Sequence, residues 1–291
     1  MLRYLLFFAT NMAILLVLSV VLSIFGISGR SGQSMESLLL FCAIFGFAGS
    51  FISLALSKWM ALRSTGAQVI KTPQNPREKW LLDTVAELAR KAEIGMPDVA
   101  MYHSDDPNAF ATGMNKNSAL VAVSTGLLSR MSQEEVKAVL AHEVSHIQNG
   151  DMVTLTLIQG VVNTFVMFFA RLVGAAIDKA VLGNKEGNGI GYYASVFVLE
   201  IVFGFLASMI VMWFSRQREF RADSGAAHLY NPQSMIAALR ALQGSQNELP
   251  KNMKVFGIGG GKHSGLVALF SSHPPIEERI KALSNTSKTF V

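Results

Sequence analysis

Residues 141–146 read Ala-His-Glu-Val-Ser-His and contain the pattern His-Glu-x-x-His. Positions i and i+4 of an α-helix lie one above the other, so His142 and His146 could bind one metal ion together. Zinc in such a site lowers the pKa of its water towards about 7, and Glu143 could take the proton as that water attacks a carbonyl carbon. The pattern therefore predicts one Zn²⁺ per subunit, with Glu143 as the general base of a hydrolytic reaction.

A catalytic zinc site of this type needs a third protein ligand and keeps one position open for water. Glu219 and Asp223 lie four residues apart on one predicted helix, immediately after an apolar stretch. One carboxylate could bind the metal while the other orients a ligating histidine. By itself such a pair reads as a solvated charge cluster, but together with His-Glu-x-x-His it favours Glu219 as the third ligand. The other candidates are Asp223, His228 and His273.

The segment around the motif carries the signals of a buried helix. Ser132, with Glu135 three residues later, forms a capping box, and Gly150 marks the end of the helix. Apolar residues recur between them at helical spacing: Val136, Val139, Leu140, Val144 and Ile147. A helix with one apolar face packs against a core, so we expect this helix to be buried.

The rest of the soluble portion contains a second helix and three short strands. Residues 77–91 show helical apolar spacing, and strand-like runs follow at 98–103, 108–114 and 119–123. Residues 115–118 suit a hairpin turn between the last two runs. The order of helix, strands and helix predicts an α+β peptidase domain with a small antiparallel sheet rather than a doubly wound fold.

The composition predicts a membrane protein that is mainly helical. Hydrophobic residues make up 51% of the 291 residues and charged residues only 15%, whereas about a quarter of a soluble domain is charged. Four stretches approach or exceed the roughly 20 residues that cross a bilayer: 4–29, 37–57, 152–170 and 192–215. Arg171 and Glu200 fall at similar depths in the last two, which predicts an ion pair between them. A pair of long buried helices is the alternative for these two stretches.

Basic residues predict how the four transmembrane helices are oriented. They are concentrated after the second and fourth stretches: Lys58, Arg63, Lys71, Arg77, Arg216, Arg218 and Arg221. By the positive-inside rule, both termini and the soluble segments lie in the cytoplasm. The predicted domains are two N-terminal spans in 1–57, a transmembrane hairpin in 152–215, and a peptidase domain divided between 72–150 and 216–291. Because both ligand helices run into spans, we expect the metal close to the cytoplasmic membrane surface.

Several classes of partner are excluded by composition and motif. The net charge is +5, but no basic run of five to eight residues lies outside the span flanks, which argues against nucleic acid. The glycine-rich segment 257–261 departs from a phosphate loop at Phe256 and His263, which argues against a nucleotide. The single cysteine, Cys42, excludes a disulfide framework and a cysteine zinc cluster.

The combination of His142-Glu143-x-x-His146 with Glu219-x-x-x-Asp223 resembles the membrane gluzincin peptidases, a family that includes the CAAX prenyl proteases. Residues 108–113 are similar to the Asn-Ala-Phe edge strand of that family. His273-Pro274-Pro275, followed by Glu278-Arg279, resembles its C-terminal His-Pro signature. The likeness covers nearly the whole chain.

The resemblance implies roles for individual residues. Glu219 would be the third metal ligand, and Asp223 would orient His142. His273 would either stabilise an oxyanion or form a structural turn. An edge strand would bind an extended polypeptide substrate by main-chain pairing, through Asn108, Ala109, Phe110, Ala111 and Gly113. The resemblance also implies a bacterial inner-membrane protease of the stress response that removes damaged membrane proteins.

Two functions compete with a zinc endopeptidase. A proteolytically silent membrane scaffold or chaperone would keep the peptide-binding edge, but it would have no need for a base such as Glu143 beside its metal. A transporter would use the charges of Arg171 and Glu200 as a pathway. Four spans without glycine- or proline-broken helices in matching halves argue against a transporter.

Overall fold

The computed structural model describes residues 35–181, 183, 189–247 and 273–287. The first predicted span, 4–29, and the glycine-rich segment 257–261 lie outside these ranges. The described residues form two compact units, one within 35–53 and 155–212 and the other within 54–154 and 213–287.

The described residues form eight helices and four strands. The helices are α1 (Met35–Thr65), α2 (Pro76–Lys91), α3 (Thr125–Arg130), α4 (Gln133–Gln148), α5 (Asp151–Ala180), α6 (Ile190–Leu229), α7 (Pro232–Asn247) and α8 (Ile276–Ser287). The strands are β1 (Gln68–Val69), β2 (Asp98–Tyr102), β3 (Ala109–Asn115) and β4 (Ser118–Ser124). The fold is therefore mainly helical with a small sheet, as predicted.

Three of the described helices, α1, α5 and α6, are long and apolar enough to cross a membrane. Their lengths are 31, 30 and 40 residues, against the roughly 20 residues that a bilayer requires. Many of their large apolar side chains face outward, including Leu40, Phe51, Phe165, Phe205 and Trp213. This pattern fits a multi-pass membrane protein, because lipid is the solvent that apolar outward faces require.

In the first unit, α1 and α5 approach closely at small and polar residues. A Cβ atom at Gly46 would lie 2.7 Å from Oγ1 of Thr164, and one at Gly160 would lie 2.6 Å from the ring of Phe47. Asn163 donates a hydrogen bond to Oγ of Ser50 across the same interface. Small residues allow helix backbones to approach where no hydrophobic force drives them together, which is how membrane helices pack.

The first unit also contains the predicted buried ion pair. Nη1 of Arg171 on α5 lies 2.8 Å from Oε1 of Glu200 on α6, and both side chains are buried. The same guanidinium donates to the carbonyl of Met167 and lies over the ring of Phe41 on α1. Arg171 therefore contacts groups on all three long helices.

In the second unit, the sheet has the order β1-β2-β4-β3. The predicted hairpin is present, because β3 and β4 pair antiparallel with Asn115 opposite Ser118. The prediction of a purely antiparallel sheet is wrong, since β2 and β4 pair parallel and the sheet is mixed. Almost every residue of β4 is buried, so β4 takes an interior position and leaves the less buried β3 at the edge.

The main core of the second unit lies between the sheet and the helices α2, α4 and α7. Fully buried residues from these elements include Leu88, Val121, Leu140 and Leu239. The predicted capping box begins α4: Oγ of Ser132 accepts from the Glu135 amide, and the Glu135 carboxylate accepts from the Ser132 amide. The motif helix is thus fixed at its N-terminus and buried along its length, as expected.

Candidate metal centre

The two motif histidines lie on the same face of α4. Nε2 of His142 is 3.1 Å from Nε2 of His146, and the two rings are nearly perpendicular. His142 is buried, and the side chain of His146 is only 15% exposed. The spacing in the sequence therefore brings two imidazole nitrogens to one point inside the second unit.

Glu219 on α6 completes the cluster. Its Oε2 lies 3.6 Å from Nε2 of His142, and its Oε1 lies 3.4 Å from Nε2 of His146. One potential ligand atom from each of the three residues lies within 4.8 Å of the other two. Two imidazole nitrogens and one carboxylate oxygen form a donor set of catalytic zinc, so these residues fit a metal ion of that type.

A close approach of α6 to α4 positions this carboxylate. A Cβ atom at Gly225 on α6 would collide with Oγ of Ser145 on α4. Ser145 is fully buried and belongs to the motif helix, one residue before His146. The absence of a side chain at Gly225 thus allows the helix that carries Glu219 to pack directly against the helix that carries the histidines.

A carboxylate lies behind each of the two imidazoles. Oδ1 of Asp223 is 3.0 Å from Nδ1 of His142, which is the partner expected from the family resemblance. Oδ2 of Asp151 is 2.6 Å from Nδ1 of His146. Asp151 was not among the predicted site residues. Its only sequence signal is that it is the first charged residue after the motif.

Arg279 on α8 is a second site residue that was not predicted. Its Nε and Nη2 donate to the two oxygens of Asp223 at 2.8 and 2.6 Å. Its Nη1 lies 3.4 Å from Oε2 of Glu219. The residue stood in the His-Pro segment of the sequence, but nothing in its spacing connects it with Asp223, 56 positions earlier.

His273 also contacts the carboxylate of Glu219. Its Nδ1 lies 2.7 Å from Oε2 of Glu219, while 62% of its side chain is exposed. His103 and His228 do not belong to the cluster formed by the described residues. Glu143 is partly exposed beside the cluster, and its negative charge helps to raise the pKa of His146.

The electrostatics of the site favour a bound cation. Burial opposes the charged form of His146, but hydrogen bonds to Asp151 and Glu219 outweigh it and raise its pKa to about 10. Burial opposes ionisation of Glu219, yet the neighbouring His273, His142 and His146 hold its pKa well below the usual range. The pKa of Asp223 is also lowered against its burial, chiefly by Arg279. The ionised carboxylates therefore stabilise positive charge at the two imidazoles, whether protons on the rings or a metal ion supplies it.

The predicted substrate strand lies at an edge of the sheet. β3 pairs with β4 and is the last strand in the order, and it packs against α4. Asn108 precedes the strand and is fixed by Ser124, since its carbonyl accepts from the Ser124 amide and its own amide donates to Ser124 Oγ. Gly113 has a φ of +143° and no room for a side chain against Ser118 and Ala119. Ala109, Phe110 and Ala111 are partly exposed along this edge.

Comparison with known proteins supports the family resemblance. The sequence model of peptidase family M48 matches residues 75–287. The chain is 62% identical to Protease HtpX of Idiomarina loihiensis over 283 residues, which are 97% of this chain and 98% of the relative. It is 56% identical over 291 residues to Protease HtpX of Pseudomonas paraeruginosa, covering 99% of this chain and all of that protein.

A solved structure has the same fold. The crystal structure of S. mikatae Ste24p superimposes with a TM-score of 0.63 at 18% identity, over 84% of this chain. The match spans 58% of the Ste24p chain. The family model covers well over half of the sequence, and the curated relatives match it from end to end. The chain therefore belongs to peptidase family M48.

Proposed function

We propose that the chain is a zinc-dependent endopeptidase of the bacterial inner membrane that cleaves misfolded or damaged membrane proteins. The observation that carries this proposal is the convergence of His142, His146 and Glu219 from two helices on one buried point. Membership of a peptidase family and three apolar helices support the same function. The relatives that match over their full length are named proteases.

In this proposal, three side chains hold the metal and others prepare the reaction. His142, His146 and Glu219 are the ligands, and Asp223 orients His142. When bound, Zn²⁺ supplies a Lewis acid that activates water and polarises a carbonyl group. The carboxylate of Glu143 takes the proton released by the attacking water, and it delivers a proton to the amine that leaves.

Substrate binding is proposed at the edge of the sheet. An extended polypeptide would add to β3 through main-chain hydrogen bonds, beside Asn108 and as far as Gly113. Strand addition takes its affinity from backbone groups, so it selects extended or unfolded segments and reads few side chains. Because β3 packs against the motif helix, a segment bound there would lie next to the catalytic residues. This suits a protease that acts on damaged proteins.

The proposed topology follows from charge and chain distance. Both termini and the peptidase domain, residues 72–150 and 216–291, lie in the cytoplasm, and residues 1–57 and 152–215 provide two spans each. Glu219 follows the apolar stretch by four residues. We therefore expect cuts in cytoplasmic or interfacial segments of membrane proteins, and none in purely periplasmic loops.

A Glu143→Gln variant tests the proposed function. Glutamine keeps the shape of the side chain but cannot accept the proton, so zinc should be retained while peptide cleavage falls by about 10²–10⁴-fold. Glu134→Gln is the matched control, because Glu134 lies on the same helix and contacts Tyr230 rather than the metal cluster. Unchanged cleavage by Glu143→Gln would contradict the mechanism. A wild-type protein that binds zinc and unfolded chains without cutting them would instead favour a scaffold.

A further inference from the structure

Asp151 occupies an unusual position beside the candidate metal centre. It is the first residue of α5, and it is only 1% exposed. Its Oδ2 lies 2.6 Å from Nδ1 of His146, the nitrogen that faces away from the metal cluster. The contact is shorter than the corresponding distance of 3.0 Å between Asp223 and His142.

A role in starting the helix does not account for this side chain. An acidic residue in the first turn favours a helix when its side chain faces the free amide groups there, but Oδ2 of Asp151 contacts the His146 ring rather than an amide of this turn. The other oxygen of Asp151, Oδ1, is buried and accepts no hydrogen bond from the described residues. A buried carboxylate oxygen without a donor costs stability. Packing alone therefore gives no reason for an aspartate at this position.

Arg218 fixes the backbone that carries Asp151. Its Nη1 donates to the Asp151 carbonyl at 3.0 Å, and its Nη2 donates to Oγ of Ser215 at 3.2 Å. Arg218 directly precedes Glu219 on α6. The residue behind His146 is thereby attached to the helix that supplies the third ligand.

We propose that Asp151 is a positioning residue. Its carboxylate accepts a hydrogen bond from Nδ1–H of His146 and so presents Nε2 of that ring to the metal. Fixing the tautomer and ring orientation of a ligating histidine raises its affinity for the metal. Each imidazole of the motif then has its own carboxylate, Asp223 for His142 and Asp151 for His146. The inference rests on the proposed function, since it requires His146 to be a metal ligand.

Metal affinity in full-length protein in detergent tests this role. Metal-free wild type, Asp151→Ala and Asp151→Asn would be titrated with Zn²⁺ against a coloured chelator. Loss of an outer partner of a ligating histidine lowers affinity by about 10–100-fold, which we expect for Asp151→Ala. Asp151→Asn should lose less, because its amide oxygen still accepts a hydrogen bond. Asp178→Asn is the matched control, since Asp178 is also buried but accepts from the Gly189 amide.

A spectroscopic measurement separates positioning from a general loss of structure. Co²⁺ in place of Zn²⁺ should give shifted or weakened visible bands in Asp151→Ala, and wild-type bands in Asp178→Asn. If Asp151→Ala does not fold, Asp151→Asn decides the question, because it keeps the volume of the side chain and is still expected to show a smaller loss of metal affinity. Wild-type affinity and bands in both Asp151 variants would overturn the inference. Failure of the wild type to bind stoichiometric Zn²⁺ would instead overturn the proposed function.

Discussion

The nitrogens of His142 and His146 lie 3.1 Å apart in a buried pocket, with the Glu219 carboxylate beside them. Neutral imidazole and ionised carboxylate are the forms that bind zinc, so a metal competes with protons for these atoms. The carboxylates of Asp151 and Asp223 complete the arrangement from behind. A metal that binds this folded pocket and not the unfolded chain stabilises the fold, and it does so less at low pH, where protons compete for the same atoms.

We predict that Glu219→Gln loses zinc. Glutamine has nearly the same size but no charge, so the metal would keep two neutral ligands and lose its anionic one. The loss of affinity should be at least as large as the roughly 10–100-fold typical of outer partners. Zinc content after dialysis, measured by elemental analysis, checks this. Glu134→Gln should retain wild-type zinc, and equal retention by Glu219→Gln would remove Glu219 from the ligand set.

Local spacing predicts only part of such a site. His142, Glu143 and His146 can be recognised because helix geometry alone brings i and i+4 together, and Glu219 follows from the need for a third ligand. Arg279 and Asp151 could not be identified in this way. Arg279 reaches Asp223 from a separate helix 56 positions later, and Asp151 begins the helix after the motif, with no spacing that marks it as a site residue. Their roles depend on how helices pack, which local spacing does not encode.

At the scale of secondary structure, the predicted helices and strands were correct where the pattern was long and regular. The capping box of α4 and the hairpin of β3 and β4 follow from local rules. The two-residue strand β1 and the short helix α3 are too brief to give a periodic signal. The parallel pairing of β2 with β4 was not predicted. The order of strands in a sheet depends on which strand is buried on both faces, and the local spacing of residues does not show this.

A charge reversal tests the pair between α5 and α6. Arg171→Glu or Glu200→Arg alone leaves two like charges buried together, and breaking such a pair typically costs about 3–5 kcal/mol. We expect each single variant to unfold at lower temperature or to accumulate poorly. Arg171→Glu combined with Glu200→Arg should recover much of the loss. Thermal unfolding in detergent measures this, and a double variant no better than the singles would show that the pair is not coupled.

Glu87 connects α2 with α4 and predicts a pH dependence of stability. Hydrogen bonds from Lys137 and then Lys91 lower its pKa to about 2, from an ordinary value of 4.5. A depressed pKa in the folded state gives stability that is present above pH 4.5 and is lost as the pH falls towards 2. Wild type and Glu87→Gln should therefore differ at pH 7, by no more than about 1 kcal/mol for a partly exposed pair.

Unfolding midpoints of the two proteins at pH 7 and pH 3 measure this contribution. Their difference should shrink at the lower pH, and it should also shrink in high salt because exposed charges are screened. A difference that is independent of both pH and salt would assign the effect of Glu87 to packing rather than to charge.

Apolar stretches in the sequence predicted the three long described helices α1, α5 and α6, each of which is long and apolar enough to cross a membrane. Their orientation in the membrane is a prediction from basic residues. It depends on a bias that acts during insertion and leaves no contact in the folded chain. Cysteine labelling can test it, because Cys42 is the single cysteine and is buried.

We predict that a cysteine at position 190 is labelled from outside intact cells. Ile190 is 90% exposed at the start of α6, and the proposed topology places it on the periplasmic side. An impermeant maleimide applied to Ile190→Cys in a Cys42→Ala background measures this. Met96→Cys is the control, since Met96 is about half exposed in the peptidase domain and should react only after lysis. The reverse pattern of labelling would invert the proposed topology.

If substrates bind at the open edge of β3 as proposed, the protease must avoid cutting folded proteins by some means other than side-chain recognition. A site that recognises backbone has no chemical means of telling a client from its own chain or from a healthy neighbour in the membrane. The choice of substrate must then depend on access to the polypeptide backbone. Only a polypeptide that has lost its native contacts has an unpaired segment that can add to β3. The protease would then select substrates by whether they are folded, and a well-folded protein would be protected by its folding alone.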